Sequence, residues 1–283
     1  MRRSAADSLA MGFLDDMAES SRQRLQAARS ALPQRTLVER CAALPPTLPP
    51  ARGGRFDLIA ELKLRSPALG QLAEAGTDRG ARVEAYARSG ACAVSVLTEP
   101  DRFGGSLEHL QQAAARLAPL GVPVMRKDFL VDPYQLYEAR GAGAGGVLLI
   151  VRMLTDPQLT EMLDCARSLG LFILLETFDE EEVERAAAAA GAVDADSNQL
   201  FIGVNSRDLQ TLEVVPERLG GLAGRLPSRW PRVAESGLET PDDAADMARA
   251  GYDLALVGGA LMRSSDPAGL LTRMLEAGRL ARA

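Results

Sequence analysis

Short apolar segments alternate with helix-like segments eight times along this chain of 283 residues. The apolar segments are dominated by Val, Ile, Leu, Phe and Ala, as is typical of strands buried on both faces of a parallel sheet. The repeat recurs at roughly 25–35 residues, as expected for consecutive strand–helix units. We predict strands at 56–63, 92–98, 122–127, 146–150, 171–176, 200–205, 231–236 and 254–259. We predict the following helices at 78–90, 106–119, 133–142, 155–169, 179–190, 215–225, 240–250 and 266–282.

Eight matched units favour a closed parallel barrel over an open, doubly wound sheet. A (β/α)8 barrel takes about 250 residues, and no GxGxxG motif of the dinucleotide-binding open sheets follows the first strand. We therefore predict an α/β chain with a (β/α)8 TIM barrel as its catalytic domain at residues 56–283. An amphipathic helix at 12–32 and the Pro-rich segment CAALPPTLPPARGG predict an N-terminal helical extension and linker at residues 1–55.

Composition excludes several classes of partner. The net charge of −6 argues against a nucleic-acid or anionic-membrane surface. No apolar run approaches the ~20 residues of a membrane helix, and the first residues lack the apolar region of a signal peptide. Three widely separated cysteines without metal-ligand spacing fit reduced thiols in a cytoplasmic protein. We expect a monomer or a weak homo-oligomer.

Polar side chains concentrate at the C-terminal ends of the predicted strands. In a parallel barrel these ends share one face, where the loops after the strands build the active site. We expect proton transfer by glutamates and lysines, because burial raises a carboxyl pKa and neighbouring cations lower an amine pKa. The residues that these strand ends bring together are Glu61, Lys63, Lys127, Glu176, Asn205, Glu235 and Ser236.

A phosphate site is predicted after the last two strands. Loops in these places often bind phosphate through backbone N–H groups, and glycines let the backbone approach the anion. The candidate turns are Ser236-Gly237 and Gly258-Gly259. The only histidine, His109, lies inside a predicted helix, so neither imidazole catalysis nor a metal site is expected.

Several segments resemble, in order, the sequence blocks of indole-3-glycerol phosphate synthase. They include IAELKLRSP, PVMRKDFLVDPYQLYEARGAGAGGVLLI, LLETF, IGVNSRDLQTLEV and VAESGL, and the resemblance covers roughly residues 57–270. The RKDF and N-x-RDL blocks are the most specific. The resemblance implies closure of the indole ring of 1-(2-carboxyphenylamino)-1-deoxyribulose 5-phosphate, with loss of CO2 and water, in tryptophan biosynthesis. It implies a phosphorylated small-molecule substrate and no cofactor or metal.

The resemblance also implies roles for individual residues. Lys127 is similar to the general acid of ring closure, and Glu176 to the acid or base of the later steps. Lys63, paired with Glu61, resembles the lysine that binds the substrate carboxylate, and the division of proton transfers between the two lysines is open. The implied catalytic residues are Glu61, Lys63, Lys127, Glu176, Asn205 and Ser236. The implied substrate contacts are Ser66, Phe103, Phe129, Leu148, Ile150, Arg207, Leu209, Glu235, Gly237, Gly258 and Gly259, with Ser66 and the glycines at the phosphate and the two phenylalanines beside the anthranilate ring.

Some positions depart from the commonest family pattern. Thr177-Phe178 stands where Val-His is frequent, and Ser206 stands where a second Asn is frequent. A paralogue serving specialised indole metabolism is therefore one alternative. A phosphosugar isomerase, a Schiff-base aldolase that uses Lys63 or Lys127 as nucleophile, and a non-catalytic binding protein are the others.

Overall fold

Eight parallel strands close into a barrel in the computed structural model, which describes residues 12–53, 56–68, 70–72, 78–193, 199–209 and 211–282. Each strand pairs with the next along the chain, and the last pairs with the first, so the predicted (β/α)8 barrel is confirmed. The strands are β1 (Asp57–Leu62), β2 (Ala93–Leu97), β3 (Val124–Lys127), β4 (Gly146–Ile150), β5 (Phe172–Thr177), β6 (Leu200–Asn205), β7 (Arg232–Glu235) and β8 (Leu254–Val257).

Each segment predicted to be helical contains a helix. The helices are α1 (Phe13–Ala31), α2 (Gln34–Ala42), α3 (Arg79–Arg88), α4 (Leu107–Leu117), α5 (Pro133–Gly141), α6 (Asp156–Ser168), α7 (Glu180–Ala192), α8 (Glu217–Ala223), α9 (Pro241–Ala250), α10 (Gly259–Arg263) and α11 (Pro267–Ala281). None of the helices within the described ranges is long and apolar enough to cross a lipid bilayer.

Two helices were not predicted, and both follow from local chemistry. The helix α2 begins after Pro33, whose fixed φ suits a helix start. The helix α10 begins at Gly259, after Gly258 has left the strand conformation, so the last predicted strand was two residues too long. A short hairpin between Arg65–Ser66 and Gly70–Gln71 follows β1. The N-terminal residues 1–11 of the predicted extension and residues 54–55 at its predicted boundary lie outside the described residues.

Alternation along the strands separates two apolar layers. Side chains such as Leu58, Val147 and Ile173 point outward and pack under the helices. Side chains such as Ile59 and Met125 point into the barrel, where they form a second cluster with other inward residues. Because these inward residues fill the barrel's middle, polar side chains at the strand ends are confined to its C-terminal mouth.

The helix α1 is fixed to the barrel by a buried charged group beside the end of β3. Asp128 accepts hydrogen bonds from both terminal nitrogens of Arg24, at 3.0 and 2.8 Å, and from Arg126 at 3.1 Å. Thr98 donates a further bond of 2.6 Å to it. Burial alone would raise the pKa of Asp128, but Arg126 and Arg24 outweigh burial and lower it. Asp128 is therefore charged in the folded protein at neutral pH.

We predict that Arg24→Ala lowers the free energy of unfolding by about 2 kcal/mol, because it leaves a buried carboxylate with fewer donors. Urea unfolding followed by the fluorescence of Trp230, the only tryptophan, measures the change. The contribution is present above the ordinary pKa of aspartate, about 3.9, and is lost as pH falls through the lower folded-state pKa.

The matched control is Arg22→Ala on the same helix. Arg22 pairs with Glu19 at 3.3 Å with both side chains about half exposed or more, so we expect a loss below about 0.5 kcal/mol. Equal losses in the two variants at neutral pH would contradict the anchoring role of Arg24.

Candidate active site

A cavity opens at the C-terminal mouth of the barrel. Its walls contain every predicted site residue except Ser66, which is buried in the short hairpin after β1. The predicted residues that line the cavity are Glu61, Lys63, Phe103, Lys127, Phe129, Leu148, Ile150, Glu176, Asn205, Arg207, Leu209, Glu235, Ser236, Gly237, Gly258 and Gly259. The sequence therefore predicted the convergence of these side chains on one mouth.

Strand register brings the charged side chains together. Ile150 on β4 lies beside Glu176 on β5, and Asn205 on β6 lies beside Glu235 on β7. The strand β3, which pairs with β4, ends at Lys127, directly after its outward-facing neighbour Arg126. Residues in matching register point to the same side of the sheet. The acids, the amide and the amine therefore lie in one layer of inward-facing side chains.

Two ion-paired groups occupy this layer. The Nζ atom of Lys63 lies 2.7 Å from Glu61. The Nζ atom of Lys127 lies 2.9 Å from Glu176 and 3.5 Å from Glu235, so one amine joins carboxylates of two different strands. The three glutamate side chains are at most 2% exposed, whereas each lysine side chain is 18% exposed. The carboxylates thus form the floor of the cavity, and the amines face the space above it.

The pKa of Lys127 is raised, and the expectation of a lowered lysine pKa is wrong here. Burial alone would lower it, but the negative charges of Glu176, Glu235 and Glu61 outweigh burial. The expectation assumed that neighbouring cations dominate, whereas the register places three carboxylates around this amine. Lys127 therefore holds its proton at neutral pH.

The carboxyl groups differ from one another in proton affinity. Burial would raise the pKa of Glu61, but Lys63 and Lys127 outweigh it and lower that pKa. Burial raises the pKa of Glu235 well above its usual range, and the charge of Glu176 beside it raises it further. Glu61 is consequently a carboxylate at neutral pH, while Glu235 holds a proton more readily than an ordinary glutamate does, as expected for a carboxyl group in an apolar setting.

Two glycines make room for these acids. A Cβ atom added at Gly258 would lie 2.3 Å from the Oε1 atom of Glu61, and one added at Gly203 would lie 2.3 Å from the Oε1 atom of Glu235. Any side chain at either position would displace a carboxyl group. Gly203 was not singled out from the sequence, although a glycine inside the otherwise apolar strand IGVN is a recognised sign of close approach.

A cationic and glycine-rich region completes the other side of the mouth. Arg207 lines the cavity and donates to the carbonyl oxygen of Leu212, and no carboxylate of the described residues lies within ion-pair distance of it. Ser236 and Gly237 both adopt positive φ angles, of 67° and 79°. These consecutive left-handed residues form the turn after β7, next to the Gly258-Gly259 turn after β8. Such a turn exposes backbone N–H groups toward an anion.

Aromatic rings form a further part of the cavity wall. The ring centroids of Phe103 and Phe129 are 6.0 Å apart, and Phe13 of α1 packs edge-on against Phe129 at 5.9 Å. The contribution of Phe13 was not predicted, because no local pattern shows which barrel residue a preceding helix will touch. The N-terminal helix therefore supports a wall of the site.

Lys63 and Lys127 are the only lysines of the chain, and every other basic residue that contributes to the Lys+Arg count of 32 is an arginine. This count is a signal of the two cavity lysines that the sequence itself contains. Arginine is charged at any accessible pH, whereas an amine can release its proton, so both lysine amines lie in one cavity.

Within the described ranges, no group of three or more His, Cys, Asp or Glu side chains is arranged to hold a metal ion.

Two solved structures share this fold at low sequence identity. Thiamine phosphate pyrophosphorylase from Pyrococcus furiosus matches with a TM-score of 0.58 and 16% identity, over 81% of this chain and 98% of that chain. The 3-hexulose-6-phosphate synthase from Salmonella typhimurium matches with a TM-score of 0.59 and 14% identity, over 80% and 100%. These likenesses concern the barrel alone.

Sequence comparison is more specific. The family profile of indole-3-glycerol phosphate synthase matches residues 14–274. The indole-3-glycerol phosphate synthase of Nocardioides sp. is 42% identical over 270 residues, covering 93% of this chain and 98% of that protein. The one from Mycolicibacterium smegmatis is 41% identical over 268 residues, covering 94% of each. The chain belongs to the indole-3-glycerol phosphate synthase family.

Proposed function

We propose that this chain catalyses the decarboxylating ring closure of 1-(2-carboxyphenylamino)-1-deoxyribulose 5-phosphate to indole-3-glycerol phosphate, in tryptophan biosynthesis. The observation that carries the proposal is the cavity into which both lysines of the chain project, each held by a buried glutamate. The reaction needs proton donors and acceptors around one bound substrate, and each well-placed group contributes about 10²–10⁴-fold to the rate.

The cavity offers a separate region for each part of the substrate. The phosphate fits the turns at Ser236-Gly237 and Gly258-Gly259, with Arg207 nearby. The anthranilate ring fits the wall formed by Phe103 and Phe129, where Leu148, Ile150 and Leu209 extend the apolar lining. The ring carboxylate fits beside Lys63, whose charge is opposite. An apolar flank excludes water and strengthens these charge interactions.

Lys127 is the general acid of ring closure in this proposal. The ring carbon that bears the carboxylate attacks the ketone carbon, and Lys127 protonates the ketone oxygen as it becomes a hydroxyl group. The new bond is followed by loss of CO2, whose bonding electron pair returns to the aromatic ring. The raised pKa of Lys127 keeps this donor loaded with its proton at neutral pH.

Dehydration completes the indole. The hydroxyl group leaves as water after protonation, and the adjacent methylene group gives up a proton as the new double bond forms. Glu176 serves as the base for that proton, and its hydrogen bond to Lys127 offers a path by which the amine is reprotonated. Lys63, held by Glu61, is the nearest second donor for the leaving hydroxyl.

Thr177, Phe178 and Ser206, which depart from the family pattern, do not face this chemistry. Thr177 donates to the carbonyl oxygen of Gly203 at 2.7 Å, and Ser206 donates to those of Glu235 and Ser236 at 3.2 and 3.1 Å. Neither side chain lines the cavity, and Phe178 does not line it either. These three departures therefore give no reason to favour a specialised substrate over the ordinary substrate of the family.

We expect Lys127→Arg to reduce turnover by about three orders of magnitude or more, because a guanidinium keeps the charge but cannot release a proton. Appearance of indole fluorescence on mixing the purified protein with the substrate measures the rate. Lys127→Ala is expected to lose turnover as well, and also stability, because it leaves Glu176 and Glu235 without their shared cation.

Comparing Lys127→Arg with the wild type separates the effect of the positive charge from the effect of proton transfer. A Lys127→Arg protein that folds like the wild type but is inactive supports the acid role. Near-normal turnover in Lys127→Arg would show that Lys127 acts only through its charge. A wild-type protein that binds the substrate without forming indole would contradict the proposed function itself.

The raised pKa of Lys127 can be measured directly, because selective lysine labelling gives only two side-chain signals. We expect one ¹³Cε signal to remain at its charged position at pH ~10.4, where an ordinary lysine is half deprotonated. Lys63→Arg removes the other signal and thereby assigns the first. If the signal that remains in Lys63→Arg titrated below that pH, the account of Lys127 as an amine stabilised by carboxylates would be wrong.

A further inference from the structure

A second group of contacts lies just outside the cavity, at the end of β5. Arg152, in the turn after β4, places its guanidinium carbon 4.7 Å from the ring centroid of Phe178. The same guanidinium pairs with Asp179 at 2.8 Å and hydrogen-bonds to Glu182 on α7. One side chain therefore joins the β4 unit to the β5 unit by stacking and by two ion pairs.

Phe178 is held from two directions. Its backbone N–H donates to the Oε2 atom of Glu182 at 2.8 Å, while the other oxygen of Glu182 accepts from Arg152. Its ring is 2% exposed and packs in the inner apolar cluster that also contains Phe129 and Ile150, two residues of the cavity wall. Phe178 thus has both its amide and its ring position determined by Arg152 and Glu182.

These contacts begin where the sheet stops supporting Glu176. The pairing of β4 with β5 ends at Ile150 and Glu176, so no further register pair joins the two strands beyond that point. On the other side, Thr177 is bonded to Gly203 of β6. Arg152 supplies support from the β4 side by stacking on Phe178, which lies two residues after Glu176.

We propose that Arg152 is a positioning residue that fixes the direction of the Glu176 carboxylate through Phe178. The inference rests on the proposed function of Glu176 as the base of dehydration. An error of about 1 Å in the placement of a catalytic group can cost about 10²-fold in rate. A planar guanidinium is suited to this task because it stacks on an aromatic ring and binds carboxylates along its edge at once.

The test compares Arg152→Ala with Arg185→Ala. Arg185 lies on the same helix as Glu182, donates to Asp156 at 2.8 Å and to the carbonyl oxygen of Leu154 at 2.6 Å, and joins the same two units farther from Glu176. We expect kcat to fall about tenfold or more in Arg152→Ala, with KM within about twofold, because Arg152 contacts no substrate region. We expect Arg185→Ala to keep its kcat even where its melting temperature falls as far.

Two further measurements make the result specific. Arg152→Lys keeps the charge but not the stacked fork, so we expect it to restore only part of kcat. The side-chain signal of Lys127, whose amine is bonded to Glu176 at 2.9 Å, should shift in Arg152→Ala and stay unchanged in Arg185→Ala. This signal does not depend on turnover, so it tests the inference even if the proposed function fails.

An unchanged kcat and an unchanged Lys127 signal in Arg152→Ala would overturn the positioning role. Equal losses of kcat in Arg152→Ala and Arg185→Ala would overturn it too, since they would reflect general destabilisation. A wild-type protein without turnover would contradict the proposed function, and the Lys127 signal would then decide the inference alone.

Discussion

The ammonium group of Lys127, shared between Glu176 and Glu235, is the interaction on which the site depends. Isolated burial of any of these charges would cost several kcal/mol, so each requires the others to be in place. The partners come from three strands, and only correct register of β3, β5 and β7 brings them within 3.5 Å of one amine. The charge balance of the cavity therefore follows directly from the geometry of the barrel.

The end of β3 shows how one strand supports both scaffold and chemistry. Lys127 points into the cavity, whereas the buried Arg126 points outward and donates to the carbonyl oxygen of Gln135 at 2.8 Å and to Asp128 at 3.1 Å. Asp128 in turn receives Arg24 from α1. Because consecutive side chains alternate between the two faces, the same few residues anchor the N-terminal helix and place an amine in the mouth.

The sequence was sufficient for the barrel and for most of the cavity lining. Apolar periodicity locates the strands, and the polar ends of those strands identify residues such as Glu61 and Asn205. Their roles, however, came from family resemblance, since strand ends alone also fitted isomerases and aldolases. Alternate residues of a strand point to the same side, which places Glu61 and Lys63 together. That spacing does not show which charged residue of another strand will lie nearest to either of them.

What the sequence could not supply were contacts between distant segments. The pairing of Arg24 with Asp128 and of Phe13 with Phe129 depends on how α1 crosses the barrel, and no local pattern encodes that crossing. The direction of the Lys127 pKa shift depends in the same way on counting the carboxylates that three other strands bring near it. Predicted proximity to cations and actual proximity to anions give opposite signs for that shift.

The distribution of basic residues connects this electrostatic arrangement to catalysis. Arginines provide the ion pairs outside the cavity, as at Arg126 and Arg152, where a permanent charge and a planar donor set are needed. In the mouth, the groups bonded to buried glutamates are the amines of Lys63 and Lys127, which can give up a proton and regain it. An arginine in either position would keep the positive charge, but its guanidinium could not release a proton. The exchange of protons within these ion pairs thus depends on an amine occupying both positions.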